Sequence, residues 1–451
     1  MVPEVRIWSP SVDQLTPRHH YVVHVVFEVV LGWPAVWCDR ESAWKNGGDL
    51  HICYGGTPSM CGDEVLWIPD AGLLSRSGVE EMDWQWSDAE LTPGGTRLPF
   101  GVSHGVSNEM HADWWSWVFW MAARMEEQVE GHELKRDRWG RFQGEHSLAH
   151  AEGWLKRPNI ERVVRDWASA ATRFMPSNRH YEARATMDVD SAFAYLHKGP
   201  WLIFGAAIQD LFKGRWKRFL ERPRVLWGSE PDPYDTYEWI EEQHAKFGLR
   251  THYFMLLADR SSKDRGVPFD SKGMRRLISY LTQVADVSIH PSFESHESAD
   301  SRTLKSEINR LGQLKGNQLD DGRQHYLLQR FPGSWKRLEA CGINRDHSLG
   351  YADQPGFRSG LSRPFRAYDL EDERIMDLWL HPIAIMDATL MRYLNLSSKE
   401  ALLMVRSIQD EVEQVQGILT LLWHNESVSN RWEWEGWREF YKEVLQVVQP
   451  K

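Results

Sequence analysis

Residues 186–190 read Thr186-Met187-Asp188-Val189-Asp190 and place two carboxylates one residue apart at the end of an apolar run. Such a pair can divide labour, one carboxylate binding a divalent cation and the other taking a proton. The same Asp-x-Asp also marks metal-dependent glycosyltransferases, and it is common in ordinary turns. A second group is His290-Pro291-Ser292-Phe293-Glu294-Ser295-His296, where His290 is a candidate metal ligand and Glu294 and His296 stand four and six residues on. Third comes Arg323-Gln324-His325-Tyr326, a cation, an amide and an imidazole in four residues. An Arg beside a catalytic carboxylate fixes its orientation and holds its pKa down. The last is Trp423-His424-Asn425, with an imidazole suited to acid/base work and an indole suited to a ligand wall.

These groups need elements that deliver them together. Three of the four follow or close a strand candidate: 182–187 before the Asp pair, 284–289 before His290, 418–423 before His424; 251–257 is a further candidate between the first two. Helical patterns alternate with the strands. Met274, Leu277, Ile278 and Leu281 share one helix face. A capping box at Ser397-Ser398-Lys399-Glu400 opens another helix, with Ala401, Val405, Ile408, Val412 and Val415 on one side and Gly417 as its stop. Alternating β and α elements predict a mostly parallel sheet or barrel, with chemistry at the carboxyl ends of its strands.

The first half is read as a smaller α/β domain. Tyr21–Leu31 is a helix or a buried strand; residues 49–54 and 64–68 are strands. Asp113 caps a helix whose Trp115, Val118, Phe119, Ala122 and Met125 recur at helical spacing. A second helical segment runs from Ser147 to Arg173. The expected organisation is an α/β domain at 1–110, a helical connecting region at 111–177 and an α/β barrel at 178–451, divided near Pro176-Ser177-Asn178.

The chain has 451 residues and a net charge of −11. That balance argues against a general nucleic-acid binder, and the one basic run, Leu134–Arg141, is read as a solvated loop or helix end. The four cysteines, Cys38, Cys53, Cys61 and Cys341, form no CxxC pair and predict neither a zinc ribbon nor a disulfide scaffold. Met1–Arg6 carries no secretory pattern and no apolar run is long enough to span a bilayer, so a cytoplasmic protein is expected. Oligomeric state is not legible. Tryptophan is the unusual count, at 24. Trp114, Trp115, Trp117 and Trp120 are assigned to core, and Trp423, of the group Trp423, Trp432, Trp434 and Trp437, to a sugar-facing wall.

Taken in order, the four groups resemble the motif series of the polysaccharide deacetylases, the NodB-homology carbohydrate esterases, over roughly residues 178–451. Thr186–Asp190 matches the family's Thr-x-Asp-x-Asp form, Thr251-His252-Tyr253-Phe254-Met255 its next strand, and Leu421-Leu422-Trp423-His424 its closing Leu-x-x-His. Gly350–Asp353, Gly356–Gly360 and Trp423–Ser427, with Arg124–Glu127 and Arg141-Phe142 earlier, are similar to a two-domain bacterial subgroup. The resemblance implies a distorted (β/α) barrel and a metal-dependent hydrolase removing N-acetyl groups from an amino-sugar glycan. It implies Asp188 as base, oriented by Arg323, and His424 as general acid, tuned by Asp346. Zinc or another divalent metal would sit on Asp190 and His290. The family's second metal His, four residues after the first, is Glu294 here, so the third ligand is Glu294, His296 or His325. Tyr326 (through its backbone N–H), Arg358, Trp423 and Asn425 are the implied substrate contacts. Two alternatives stand beside this reading: a carbohydrate-binding protein on a degenerate deacetylase fold, and a glycosyltransferase using Asp188-Val189-Asp190.

Overall fold

A computed structural model describes residues 2–10, 14–61, 65–79, 83–88, 97–103, 110–129, 135–297, 300–317 and 319–450. Four short strands, β1 (Val5–Trp8), β2 (Ala35–Trp37), β3 (Leu50–Tyr54) and β4 (Leu66–Ile68), form a parallel sheet in the order β2-β1-β3-β4. Glu64, expected to begin β4, lies outside the described residues. Tyr21–Leu31 belongs to a helix: Pro17 sits in its first turn, and it runs on through wider-wound turns His24–Leu31 to a left-handed Gly32 at φ 68°. That φ costs glycine little and ends the helix. Cys53 is disulfide-bonded.

A two-stranded ladder, β5 (Gly101–Ser103) and β6 (Met110–Ala112), leads to helix Trp114–Ala122, capped by the Asp113 carboxylate on the Ser116 N–H at 3.0 Å. The segment expected as one helix from 147 to 173 is two, Leu148–Ala151 and Asn159–Ala171; Pro158 stands at the break, where its ring and missing N–H stop an incoming helix.

Nine strands follow: β7 (Glu182–Val189), β8 (Thr251–Met255), β9 (Asp286–Ile289), β10 (Asp321–Gly322), β11 (Arg345–Leu349), β12 (Phe365–Asp369), β13 (Arg374–Pro382), β14 (Ile385–Met386) and β15 (Ile418–His424). Their order is β12-β13-β11-β10-β9-β8-β7-β15-β14, parallel throughout except for the β12–β13 pair. The sheet curls into a half-barrel whose edges, β12 and β14, remain apart, rather than closing into the expected barrel. β7 and β15 are buried almost throughout, as strands covered on both faces must be. The helices that cover them obey their periodicity: Met274, Leu277, Ile278 and Leu281 are the buried stripe of Lys272–Val284, and Ala401, Val405, Ile408 and Val412 that of Ser398–Gln414. Strand β9 begins at Asp286 because that first helix runs through Val284.

The first 177 residues pack onto this sheet through buried polar pairs. Tyr21 Oη donates to the Arg366 carbonyl at 2.9 Å, and the Arg18 guanidinium grips Glu373 at 2.5 and 2.9 Å. Glu127 is held by Arg124 on its own side and by Arg358 across the boundary, at 3.0 and 2.5 Å.

Candidate active site

Register places the first pair. β15 lies against β7 with His424 directly opposite Asp188, and β14 lies against β15 with Met386 opposite Leu422. The carboxyl ends of β7 and β15 and the first residue after β14 therefore converge.

Asp188 is buried. Its Oδ1 accepts from Arg323 Nη1 at 2.8 Å, and the same nitrogen donates to Thr186 Oγ1 at 2.8 Å. Arg323 Nε donates to the His347 carbonyl at 2.9 Å, and its guanidinium lies over the Phe254 ring at 4.1 Å. Both contacts fix the fork that aims Asp188. Asp188 Oδ2 is turned toward His290, at 3.8 Å from Nε2.

Asp190, the residue after β7, meets two imidazoles. His290 Nε2 is 3.2 Å from one carboxylate oxygen and His325 Nε2 is 3.4 Å from the other. His290 Nδ1 faces the Arg323 carbonyl at 2.5 Å and His325 Nδ1 faces Asp264 at 2.9 Å. Since a carbonyl and a carboxylate only accept, each Nδ1 carries the hydrogen and each Nε2 is left to point inward. The donor atoms of Asp190, His290 and His325 lie within 4.8 Å of one another, and Asp190 Oδ1 is buried without a hydrogen-bond partner. Two imidazoles and a carboxylate around an orphaned oxygen suit a divalent ion with a further coordination position open, zinc among them.

His424 closes the other side. Its Nε2 is 3.9 Å from Asp190 Oδ2, while Nδ1 and the backbone N–H both reach the fully buried Asp387, each at 2.8 Å. Burial alone would lower the His424 pKa, but the Asp387 and Asp190 charges push it up to about 10. His325 follows the same pattern: burial works against its charge, and Asp190 and Asp264 push it up to about 9. Burial would raise Asp190, yet the surrounding imidazoles hold its carboxyl well below the usual range.

These groups floor a cavity of about 540 Å³. Tyr326, at φ 65°, packs against His325 and forms part of the wall. So does the basic run read as solvated, of which Leu134 lies outside the described residues. Arg141 is buried and donates to the Tyr326 carbonyl at 3.0 Å and to Tyr393 Oη at 2.7 Å, while Trp139 lines the cavity with Lys263 Nζ 3.6 Å above its ring.

Several expected residues fall elsewhere. Glu294 is exposed on the short helix Phe293–Glu297, which turns it away from the cluster. His296 is buried against Ser334 Oγ at 3.1 Å, and burial lowers its pKa to about 3. The carboxylate on His424 is Asp387 and not Asp346, which accepts from Gln329 Nε2 and Ser348 N at 2.7 and 2.9 Å. Arg358 is committed to Glu127. Trp423 is fully buried against Tyr441, ring centres 4.9 Å apart, because alternate residues of a strand face opposite ways and His424 takes the cavity side. Asn425 donates to the Ser191 and Tyr234 carbonyls at 3.1 and 3.0 Å and braces the loop carrying Asp190. Asp387, Asp264, Trp139 and Arg141 join the site from outside the four sequence groups. Asp387 alone had a signal, a carboxylate just past the short apolar run Ile383–Met386.

The sequence model of a family of unknown function, DUF7033, matches residues 10–176. No curated protein matches the chain. Among solved structures, it is similar to a chain assigned as a polysaccharide deacetylase from Mycobacterium smegmatis, at 16% identity over 60% of this chain and 86% of that one, with a TM-score of 0.38. The polysaccharide deacetylase Bc1974 from Bacillus cereus matches at 10% identity over 60% and 87%, with a TM-score of 0.26. A GH138 enzyme targeting pectin rhamnogalacturonan II matches at 10% identity over 99% and 64%, with a TM-score of 0.27.

Proposed function

We propose that this protein is a metal-dependent hydrolase that removes N-acetyl groups from an amino-sugar-containing poly- or oligosaccharide, on a half-barrel of the NodB-homology type. The observation that carries the proposal is the convergence of Asp190, His290 and His325 between two separately braced groups, Asp188 on Arg323 and His424 on Asp387.

Asp190, His290 and His325 would hold the ion. When bound, a divalent metal such as zinc supplies Lewis acidity toward an acetamide carbonyl and toward water. Asp188 is the base: Arg323 occupies Oδ1, so Oδ2 takes the proton from the attacking water. His424 is the acid. Its Nε2 faces the cavity, and it delivers a proton to the amine nitrogen as the C–N bond breaks, since an unprotonated amide nitrogen is a very poor leaving group. Asp387 keeps Nδ1 protonated and the ring turned inward. Tyr326, in the cavity wall, offers an aromatic ring to a sugar.

His325 favours a metal-dependent enzyme over a binding-only protein, since it provides an imidazole where the local sequence has Glu294. A glycosyltransferase would use the Asp pair but leave His290, Arg323 and His424 without a role. The test is acetate release from N-acetylglucosamine oligomers by purified protein supplied with Zn²⁺, Co²⁺ or Mn²⁺. Release that Asp188→Asn and His424→Ala each abolish, with the fold intact by circular dichroism, is expected. Unchanged release in either variant would remove the assigned roles.

A further inference from the structure

Between Asp190 and β8 the chain inserts a helical hairpin, Pro200–Phe212 and Trp216–Leu226, whose burial is inverted. The first helix, PWLIFGAAIQDLF, is almost wholly apolar, yet its one buried residue is Asp210. That carboxylate accepts from Arg222 Nη2 at 2.5 Å, so the hairpin closes on an ion pair and turns its apolar groups outward. Trp201 and Phe212 are 84% and 86% exposed, and Phe204, Trp216 and Trp227 are exposed with them. An apolar helix left open to water is one face of an interface.

We infer that this hairpin docks the protein on an anionic lipid surface. The charge pattern selects that occupant. Asp210 and Glu221, the acidic residues between 200 and 229, are both buried, whereas Lys213, Arg215, Lys217 and Arg224 are exposed. Among the described residues Lys213 and Lys217 have no carboxylate within 4.0 Å, so a positive tip stands out on a chain of net charge −11. A two-fold contact between copies would bring two such tips together, and like charges oppose it. An anionic headgroup layer attracts them, while Trp and Phe enter the headgroup boundary. At thirteen residues the first helix is about 20 Å long, short of a bilayer's apolar thickness, so it lies along the surface. The hairpin follows the strand end that carries Asp190.

Co-sedimentation of the full chain with extruded vesicles tests it. Phosphatidylcholine vesicles containing half phosphatidylglycerol should bind the protein at least about 10-fold better than pure phosphatidylcholine. Lys213→Glu with Lys217→Glu should remove that preference, and Trp201→Ser with Phe204→Ser and Phe212→Ser should remove binding, both with unchanged thermal melts because the changed side chains are exposed. Absence of binding to the anionic vesicles, or equal binding by the serine variant, would overturn the inference. So would a wild-type dimer in sedimentation velocity that the serine variant converts to monomer without any vesicle binding, since the face would then belong to a second copy.

Discussion

Asp387 accepts two hydrogen bonds from His424, one from ring Nδ1–H and one from the backbone N–H, each 2.8 Å long. The carboxylate thus fixes the ring's rotation and tautomer and favours its protonated form. Asp387→Asn should lower kcat for acetate release by about 10²-fold or more with little change in KM. The alkaline limb of the kcat profile should move to lower pH, because the charge that raised the His424 pKa is gone. A limb that stays in place would detach Asp387 from the acid.

His325 and Glu294 make opposite predictions for metal binding. His325→Ala removes one of three converging donors and should abolish tight binding of Zn²⁺ by calorimetry. Asp264→Asn loosens the carboxylate that orients His325 at 2.9 Å and should weaken it about 10–100-fold. Glu294→Ala should change nothing. Loss of metal in the Glu294 variant would put the third ligand on that helix.

Arg358 and Glu127 join the two halves of the chain through a buried pair at 2.5 Å. Arg358→Ala leaves the buried Glu127 carboxylate with Arg124 as its remaining guanidinium partner and should cost about 2–3 kcal/mol in denaturant unfolding. Burial would raise Glu127, but Arg358 and Arg124 lower it to about 2. A depressed carboxylate contributes stability that is present above its unfolded pKa, roughly 4.3, and is lost as pH falls through about 2. The gap between wild type and variant should therefore narrow in that acid range.

Asp113 works with the opposite sign. Four donors surround its carboxylate, Tyr54 Oη, Ala71 N, Ser116 N and Ser116 Oγ, yet burial pushes its pKa up to about 7. The folded state favours the protonated acid, so its contribution is full below the unfolded pKa near 3.9 and is lost as pH rises through about 7. Melting temperatures of wild type and Asp113→Asn, followed from pH 4 to 8, should converge toward the alkaline end, by on the order of 4 kcal/mol in stability. Parallel curves would mean that Asp113 is ionised throughout.

Local pattern determined much of this protein. Apolar runs named β7, β9 and β15, helical spacing named the buried stripes of Lys272–Val284 and Ser398–Gln414, and the residues leaving the strands included Asp188, Asp190, His290, Arg323, His325 and His424. These features depend on neighbours in the chain, and one sequence carries them. What the sequence left open was decided by register and by strand parity. Asp387 reaches His424 only because β14 pairs beside β15; Asp264 reaches His325 across 61 residues; Trp139 arrives from the other half of the chain. Trp423 and His424 are adjacent in sequence but face opposite sides of one strand, so the indole went to the core and the imidazole to the cavity. A single chain cannot display which distant segments its sheet will bring side by side, because that choice is made by the packing of the whole.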